Sequence, residues 1–292
     1  MQGCLGIRKL LSLKCPISSC PPLKPTPIQF DFGQNWQNFS ANALTAERVR
    51  QARENFQELV APLPVEGWTF LDIGFGQGLG LLTAAALGAR SVGCDINPKC
   101  AQVLQTNLHH FPELIAAPPV VVGSILDNST LAAIHREAQK IGGRESFEIV
   151  HSWGVLHHTG DMATAIRNAS GLVAPGGHFI LALYNRHWSS RAWWLVKWLY
   201  VHSPRWVQRA LITLFYPVIY LAKWVVTGKN PKQQERGMNF YYDVIDWVGG
   251  YPYEYASREE VERTLAALGF RPVKFIAARV PTGCNEFVFE RE

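Results

Sequence analysis

The stretch Leu71–Gly80, LDIGFGQGLG, constrains everything else in the chain. An apolar run from Trp68 to Ile73 gives way to Gly74, Gly76 and Gly78 at alternate positions, and a small-residue segment, Leu79 to Leu87, follows. The pattern predicts a buried strand, a tight loop and a helix. Glycine tolerates φ > 0 and lets a ligand approach the backbone closely. A helix start adds free N–H groups and a positive dipole end. Together these form a site for a nucleotide-like cofactor. The spacing narrows the choice. A dinucleotide motif needs G-x-G-x-x-G, but Leu79 and Leu81 stand where the third glycine would fall. No Gly-Lys-Ser/Thr follows, so the loop is not a P-loop. Asp72, two residues before the first glycine, suits a cationic, amino-bearing ligand better than a pyrophosphate.

The rest of the chain supplies the partners of such a site. Thr45–Val60 carries helical spacing at Val49, Ala52, Phe56 and Leu59, with Thr45 as N-cap. Ser91–Asp95 is a second strand. Its terminal Asp95 lies some 20 residues past the loop, where a Rossmann-like crevice binds ribose hydroxyls. Asn97-Pro98 opens a helix running to about His109. Pro119–Val122 is a third strand and Leu131–Ile141 a helix ending at Gly142-Gly143. Phe147–Trp153 is the fourth strand, a helix covers about Asp161 to Val173, and Pro175-Gly176-Gly177 turns into a fifth, His178–Tyr184. Ser257-Arg-Glu-Glu260 is a capping box opening a helix to Leu268. Arg271–Val280 and Glu286–Glu290 are the last two strands.

The D-x-G-x-G-x-G stretch resembles the first motif of class I S-adenosylmethionine-dependent methyltransferases. The succession Val155-Leu156-His157-His158, then L-V-x-P-G-G at 172–177, is similar to small-molecule and lipid methyltransferases of the ubiquinone-biosynthesis type. The resemblance covers about residues 65–184 and 256–292. It implies an α/β fold: a Rossmann-like seven-stranded, mostly parallel sheet with an antiparallel last strand. It implies S-adenosylmethionine as cofactor, with Asp72, Gly74, Gly76 and Gly78 at the methionine end and Asp95 on the ribose. Where family members often carry an acid against adenine, this chain has Ser124, so backbone N–H groups of Ser124 or Ile125 are expected there. Residues after strands four and five would face the methyl group: Ser152, Trp153, His157, His158, Tyr184 and Asn185. His157 and His158 are candidate general bases, with a loop-pinning role as the other reading. Tyr184 is a candidate substrate-orienting residue, or simply a satisfied strand-end residue. An N-terminal segment such as Thr45–Val60 either lids the pocket or packs on the sheet edge.

Several chemistries fall away. The Asn/Asp-Pro-Pro-aromatic signature of enzymes acting on exocyclic base amines is absent, HSWG standing in its place, and no Pro-Cys dipeptide occurs. Six Cys are scattered without metal spacing, so no metal site is expected and a reducing compartment fits. Residues 1–29, rich in proline, read as a flexible arm.

The methyltransferase domain is thus expected over 30–184 and 256–292, with a helical, aromatic-rich insertion over 185–255. Net charge is +5 overall. Arg186–Arg236 alone carries nine Lys/Arg against Glu235, so the rest of the chain is slightly acidic. Six of the ten Trp lie here: 188, 193, 194, 198, 206 and 224. The uncharged run ALITLFYPVIYLA, interrupted by Pro217, is too short to span a bilayer. Trp and aliphatic residues mixed with Lys and Arg describe a segment lying in an anionic membrane interface, here 188–232. A folded lid whose aromatics are core, or a nucleic-acid surface, are the other readings; the many aliphatic residues disfavour the last. Asp243 and Asp246 either enter the pocket or lie on a helix surface. The expected activity is O-methylation of a hydrophobic or lipid-linked small molecule by a cytoplasmic enzyme, peripheral at the inner membrane face. An RNA methyltransferase and a non-catalytic cofactor-binding module are the alternatives.

Overall fold

In the computed structural model, which describes residues 29–61, 63–232 and 239–292, strands alternate with helices from Thr69 to Tyr184. The expected arm, 1–29, lies outside the described residues except for Gln29. Two helices come first, α1 (Phe32–Asn42) and α2 (Ala46–Val60). Then follow β1 (Thr69–Ile73), α3 (Leu79–Ala86), β2 (Arg90–Asp95), α4 (Pro98–Asn107), β3 (Val120–Val122), α5 (Asn128–Gly142), β4 (Phe147–Trp153), α6 (Met162–Gly171) and β5 (Val173–Tyr184). Three helices, α7 (Ser190–His202), α8 (Arg205–Thr227) and α9 (Phe240–Gly249), separate β5 from α10 (Arg258–Ala266), β6 (Phe270–Ile276) and β7 (Cys284–Arg291).

The sheet order is β3-β2-β1-β4-β5-β7-β6. Strands β1 to β5 are parallel, and β7 runs antiparallel to both neighbours. Order reverses between β1 and β4, which is where open α/β sheets bind ligands, beyond the carboxyl ends of the strands. Alternation along each strand decides what covers it. Leu71, Val150 and Phe179 face a core shared with α5, α6 and α10. Phe70, Ile149 and Ile180 face the opposite core, built with α2, α3 and α4. All five residues of β1 are buried, as expected of a parallel strand covered on both faces.

The capping chemistry sets the helix starts. Thr45 Oγ1 accepts from Arg48 N–H (3.3 Å), Asn97 Oδ1 from Lys99 N–H (3.1 Å) ahead of Pro98, and Ser257 and Glu260 form the reciprocal box. Boundaries move where a cap or turn outweighs hydrophobic spacing. Helix α5 starts at Asn128, a turn before the expected Leu131, with Asp127 in the N-cap position but making no side-chain capping bond. The helix expected through His109 is α-helical only to Asn107 and ends in a short 3₁₀ turn. The expected Pro-Gly-Gly turn becomes a bulge inside β5, where Gly176 has φ +72° and pairing with β4 skips from Val173 to His178.

Helices α7 to α9 close around Tyr200, Phe240, Val244 and Val248, against which the inner side of α8 packs through Leu211, Ile212, Phe215, Tyr216, Ile219 and Tyr220. The outer side of α8 exposes Leu214, Val218, Leu221, Trp224 and Val225, a stripe at helical spacing. The thirteen-residue apolar run is therefore part of a 23-residue helix, with mean hydropathy 1.6 over its most apolar window and long and apolar enough to cross a membrane by length and composition alone. It contains Pro217 without ending there.

Candidate active site

The loop between β1 and α3 makes the tightest backbone in the sheet's carboxyl edge. Gly74, Gly76 and Gly78 all adopt left-handed conformations, φ +72°, +55° and +82°. The alternating spacing is thus a demand of the backbone, since side chains with Cβ are strained there. Space forbids a Cβ as well: at Gly74 it would strike Val155, and at Gly78 Leu104.

Asp95 closes the loop from the side. Its Oδ2 accepts from Gly76 N–H (3.0 Å) and its Oδ1 from Asn97 N–H (2.8 Å). The carboxylate is 8% exposed. Burial pushes its pKa above the usual carboxylate range, against the pull of the two N–H donors and of the Cys100 thiol. Each oxygen keeps lone pairs for a further donor.

The remaining candidates for a cofactor contact divide. Asp72 is buried in β1, and its Oδ1 bonds His151 Nδ1 across to β4 (2.8 Å). Its other oxygen faces the start of α3 at Gly80. Ser152 has no exposed surface, and its hydroxyl donates to the Ile73 carbonyl (3.1 Å). The side chain ties β4 to β1 and has no surface left for a ligand, a correction to its expected position facing the methyl group. Ser124 turns its hydroxyl onto Leu126 N–H (3.2 Å), while the Ile125 side chain is core. Their main chain follows β3, at the rim where a base would lie.

Of the two readings of Thr45–Val60, lid or packed helix, α2 takes the packed one. Helix α2 packs into the core through Phe56, against Phe70 and His151. Helix α1 lies over the glycine loop. Trp36 Nε1 stands 2.8 Å from where a Cβ on Gly76 would be, and Gly33 meets Asn97. Asp31 takes Asn97 Nδ2 (2.8 Å) and Lys99 Nζ (2.7 Å). The segment Phe30–Phe39, FDFGQNWQNF, is aromatic, but nothing in its spacing ties it to the loop.

Beyond β4 the chain turns through Leu156–His158 under the helical insertion. His157 and His158 are buried. His158 Nδ1 donates to the Pro252 carbonyl (2.6 Å), and burial lowers its pKa to about 3. It pins the chain between α9 and α10. His157 Nδ1 accepts from Tyr184 N–H (3.3 Å), so its proton sits on Nε2, which is buried and has no hydrogen-bond partner. Burial holds His157 well below the ordinary histidine range and raises the Tyr184 hydroxyl well above its own. The His157 and Tyr184 rings lie 4.0 Å apart. Asn185 is spent on the Pro281 carbonyl (3.1 Å).

Two polar residues that the sequence did not settle complete this region. Lys197 of α7 is fully buried and donates to the Trp247 carbonyl. Asp246 of α9 accepts from Asn35 Nδ2 of α1 (2.7 Å). Burial raises the Asp246 carboxyl to about 8 and lowers Lys197 to about 7. Asp243 instead pairs with Lys223 on α8 (2.5 Å). The signal for Lys197 was a cation flanked on both sides by apolar residues in AWWLVKWLY; which face of α7 turns inward was not readable. Among the described residues no group of His, Cys, Asp and Glu could hold a metal ion.

Comparison with known proteins agrees with this geometry. The family described as a methyltransferase domain matches residues 44–274. The chain is 31% identical over 202 residues to the ubiquinone biosynthesis O-methyltransferase of Cereibacter sphaeroides, covering 67% of this chain and 72% of that one. It is 29% identical over 163 residues to the protein of the same name from Methylobacterium sp. (strain 4-46), covering 56% of this chain and 59% of that relative. Against the Rhodopseudomonas palustris protein of that name the match spans half of each chain, at 31% identity. Among solved structures, magnesium protoporphyrin IX methyltransferase from Synechocystis PCC 6803, crystallised with bound SAH, superposes with a TM-score of 0.52 at 14% identity, covering 89% of this chain and 94% of that one. An O-methyltransferase family protein from Burkholderia thailandensis gives 0.53 at 12%, covering 88% and 59%. At these identities the two structures speak to the fold. A family match running from the end of α1 into β6, joined to a relative aligned over two thirds of the chain, makes this protein a member of the class I S-adenosylmethionine-dependent methyltransferases.

Proposed function

We propose that the chain transfers a methyl group from S-adenosylmethionine to an oxygen of a hydrophobic or lipid-linked small molecule, working at the surface of an anionic membrane. The observation that carries the cofactor assignment is Asp95, clamped at the end of β2 by Gly76 and Asn97 N–H groups with both oxygens able to take ribose hydroxyls. Gly74, Gly76 and Gly78 would admit the methionine end, Asp72 would set the charge behind them, and the main chain of Ser124 and Ile125 would border the base. The cofactor supplies an electrophilic methyl group on a cationic sulfur. The protein's task is then to orient the acceptor in line and keep water out, which the aromatic-rich helices beyond β5 are built to do.

Oxygen as acceptor is favoured by the relatives, which are named ubiquinone biosynthesis O-methyltransferases. The membrane surface is favoured by α8. Its inner side is packed on α7 and α9, and Lys223 is ion-paired to Asp243 on α9. The helix is thus held against the domain, with only its outer stripe free to enter lipid. Arg205, Trp206 and Arg209 at one end and Lys223 and Trp224 at the other suit a headgroup zone. Basic residues near such a surface add about 1 kcal/mol each.

Tritiated S-adenosylmethionine, purified protein and a total lipid extract test the reaction: label partitioning into the organic phase is expected. Label in an RNA fraction would favour an RNA substrate, and label nowhere a non-catalytic binding module. Liposome flotation tests the surface. Flotation that requires anionic lipid and is lost in Leu214→Glu/Leu221→Glu is expected; flotation unchanged in that variant would sink the membrane reading.

A further inference from the structure

The insertion buries an amine beside Tyr184 at the end of β5. Lys197 Nζ lies over the rings of Tyr184, Trp247 and Tyr253, at 5.5, 4.7 and 4.8 Å. Its hydrogen bond to the Trp247 carbonyl is the one it makes among the described residues. A lysine amine has two or three N–H donors, so the carbonyl does not exhaust it, and a buried amine of this kind is costly unless partnered. A residue needed only to fill this space would serve better as Met or Leu.

His157 gives an independent observation. Its Nε2–H is buried and unpartnered, and its ring packs on Tyr184, the same ring that borders Lys197. The cluster is joined to the glycine loop by a short segment. Val155 fills the space beside Gly74, and His157 follows two residues later. An unpaired donor and a caged amine thus meet at Tyr184, at the end of β5, one 3₁₀ turn from the loop assigned to the cofactor.

We propose that Lys197 is a catalytic residue: its Nζ binds an acidic hydroxyl of the acceptor, phenolic or carboxylic, and removes its proton, while His157 Nε2–H donates to the acceptor's oxygen. The proposal rests on the methyltransferase reading above and names its acceptor class. The acceptor O–H bond breaks and its proton passes to the neutral amine. The freed oxygen pair forms the new O–CH3 bond as the methyl donor's C–S bond breaks, its electrons staying on sulfur as a neutral thioether. The ammonium of Lys197 returns the proton to water once product has left. Burial keeps a useful fraction of the amine neutral near pH 7. An aliphatic hydroxyl is too weak an acid for an amine so placed. The other titratable groups facing Nζ are Asp243 and Asp246 of α9, Cys284 of β7, Tyr184, Tyr253, His157 and His158.

The test uses 4-nitrophenol, whose phenolate absorbs visible light, added to the full chain in the presence of S-adenosylhomocysteine. The wild-type protein is expected to show the phenolate band at least one pH unit below the value at which the free probe ionises. Lys197→Met should bind S-adenosylhomocysteine with unchanged affinity and lose the band. If that variant does not fold, Lys197→Gln replaces it and must show the same loss. Wild-type protein that binds S-adenosylhomocysteine but gives no shifted band, or a band retained without Lys197, overturns the proposal. Wild-type protein that fails to bind S-adenosylhomocysteine overturns the methyltransferase reading, and the proposal falls with it.

Discussion

Asp95→Asn separates what the carboxylate does for the fold from what it does for the ligand. The two oxygens accept from Gly76 and Asn97 N–H groups. An amide keeps one acceptor and turns its NH2 toward the other donor, a loss of about 1–3 kcal/mol for a buried unsatisfied group. Against this, the raised pKa shows that the site disfavours the charge overall. The sign follows from linkage: a folded-state value above the unfolded one gives stability that is present at low pH and lost as pH rises through the raised value. Near pH 7 the wild-type carboxylate is thus a net cost that the amide relieves. The two effects oppose, so stability should fall by less than the about 1–3 kcal/mol that the lost hydrogen bond alone would cost. Ligand binding has no such compensation. One charged hydrogen bond to the ribose diol, worth about 1.5–3 kcal/mol, is lost and the other becomes neutral, about 1 kcal/mol weaker. A total near 3 kcal/mol is on the order of 150-fold in Kd. Calorimetric titration with S-adenosylhomocysteine, beside urea unfolding of both proteins, measures each term. A folded Asp95→Asn protein with wild-type affinity would refute the ribose assignment.

Gly76→Ala must adopt φ +55° and press on Trp36. It should lose about 1–2 kcal/mol from the left-handed backbone alone in urea unfolding, and Trp36→Ala in the same chain should recover the part due to contact. His151→Leu leaves the Asp72 carboxylate buried without its partner, so a loss of about 3–5 kcal/mol is expected; a drop below 1 kcal/mol would show that Asp72 finds another donor. His157 and His158 are held neutral by burial, with His158 at about 3. A depressed histidine binds protons in the unfolded chain first, so stability is full above pH 6.5 and lost as pH falls from there toward the folded value. The urea midpoint should decline over that window in wild type and less steeply in His158→Asn.

The legible parts of this protein were those in which one residue type answers one local demand. Three left-handed positions call for Gly74, Gly76 and Gly78, an open strand end for Asp95, and helix starts for Thr45, Asn97 and Ser257. Each is a neighbour-scale problem with few solutions. The parts that stayed hidden depend on packing between distant segments. Asp72 lies in a motif that suggests a ligand contact, and one of its oxygens also bonds His151, 79 residues away. Ser152 sits at the right strand end but points to Ile73. The insertion is aromatic on every side, so periodicity could not say that Trp193 packs on Trp247 while Trp188 and Trp206 face outward. Nor could it say that Lys197 turns inward.

Helix α1 touches both halves of the site. Trp36 rests on the glycine loop, and Asn35, its neighbour in sequence, holds Asp246 of α9. A ligand that lifts Trp36 away from Gly76 therefore strains the Asn35–Asp246 contact, and an acceptor that reorders α9 pulls on the lid over the loop. Two ligands that both need α1 displaced share one conformational cost, met by whichever arrives first. The coupling is reciprocal. A shift of that one turn of helix would thus be felt at both ends of the site at once.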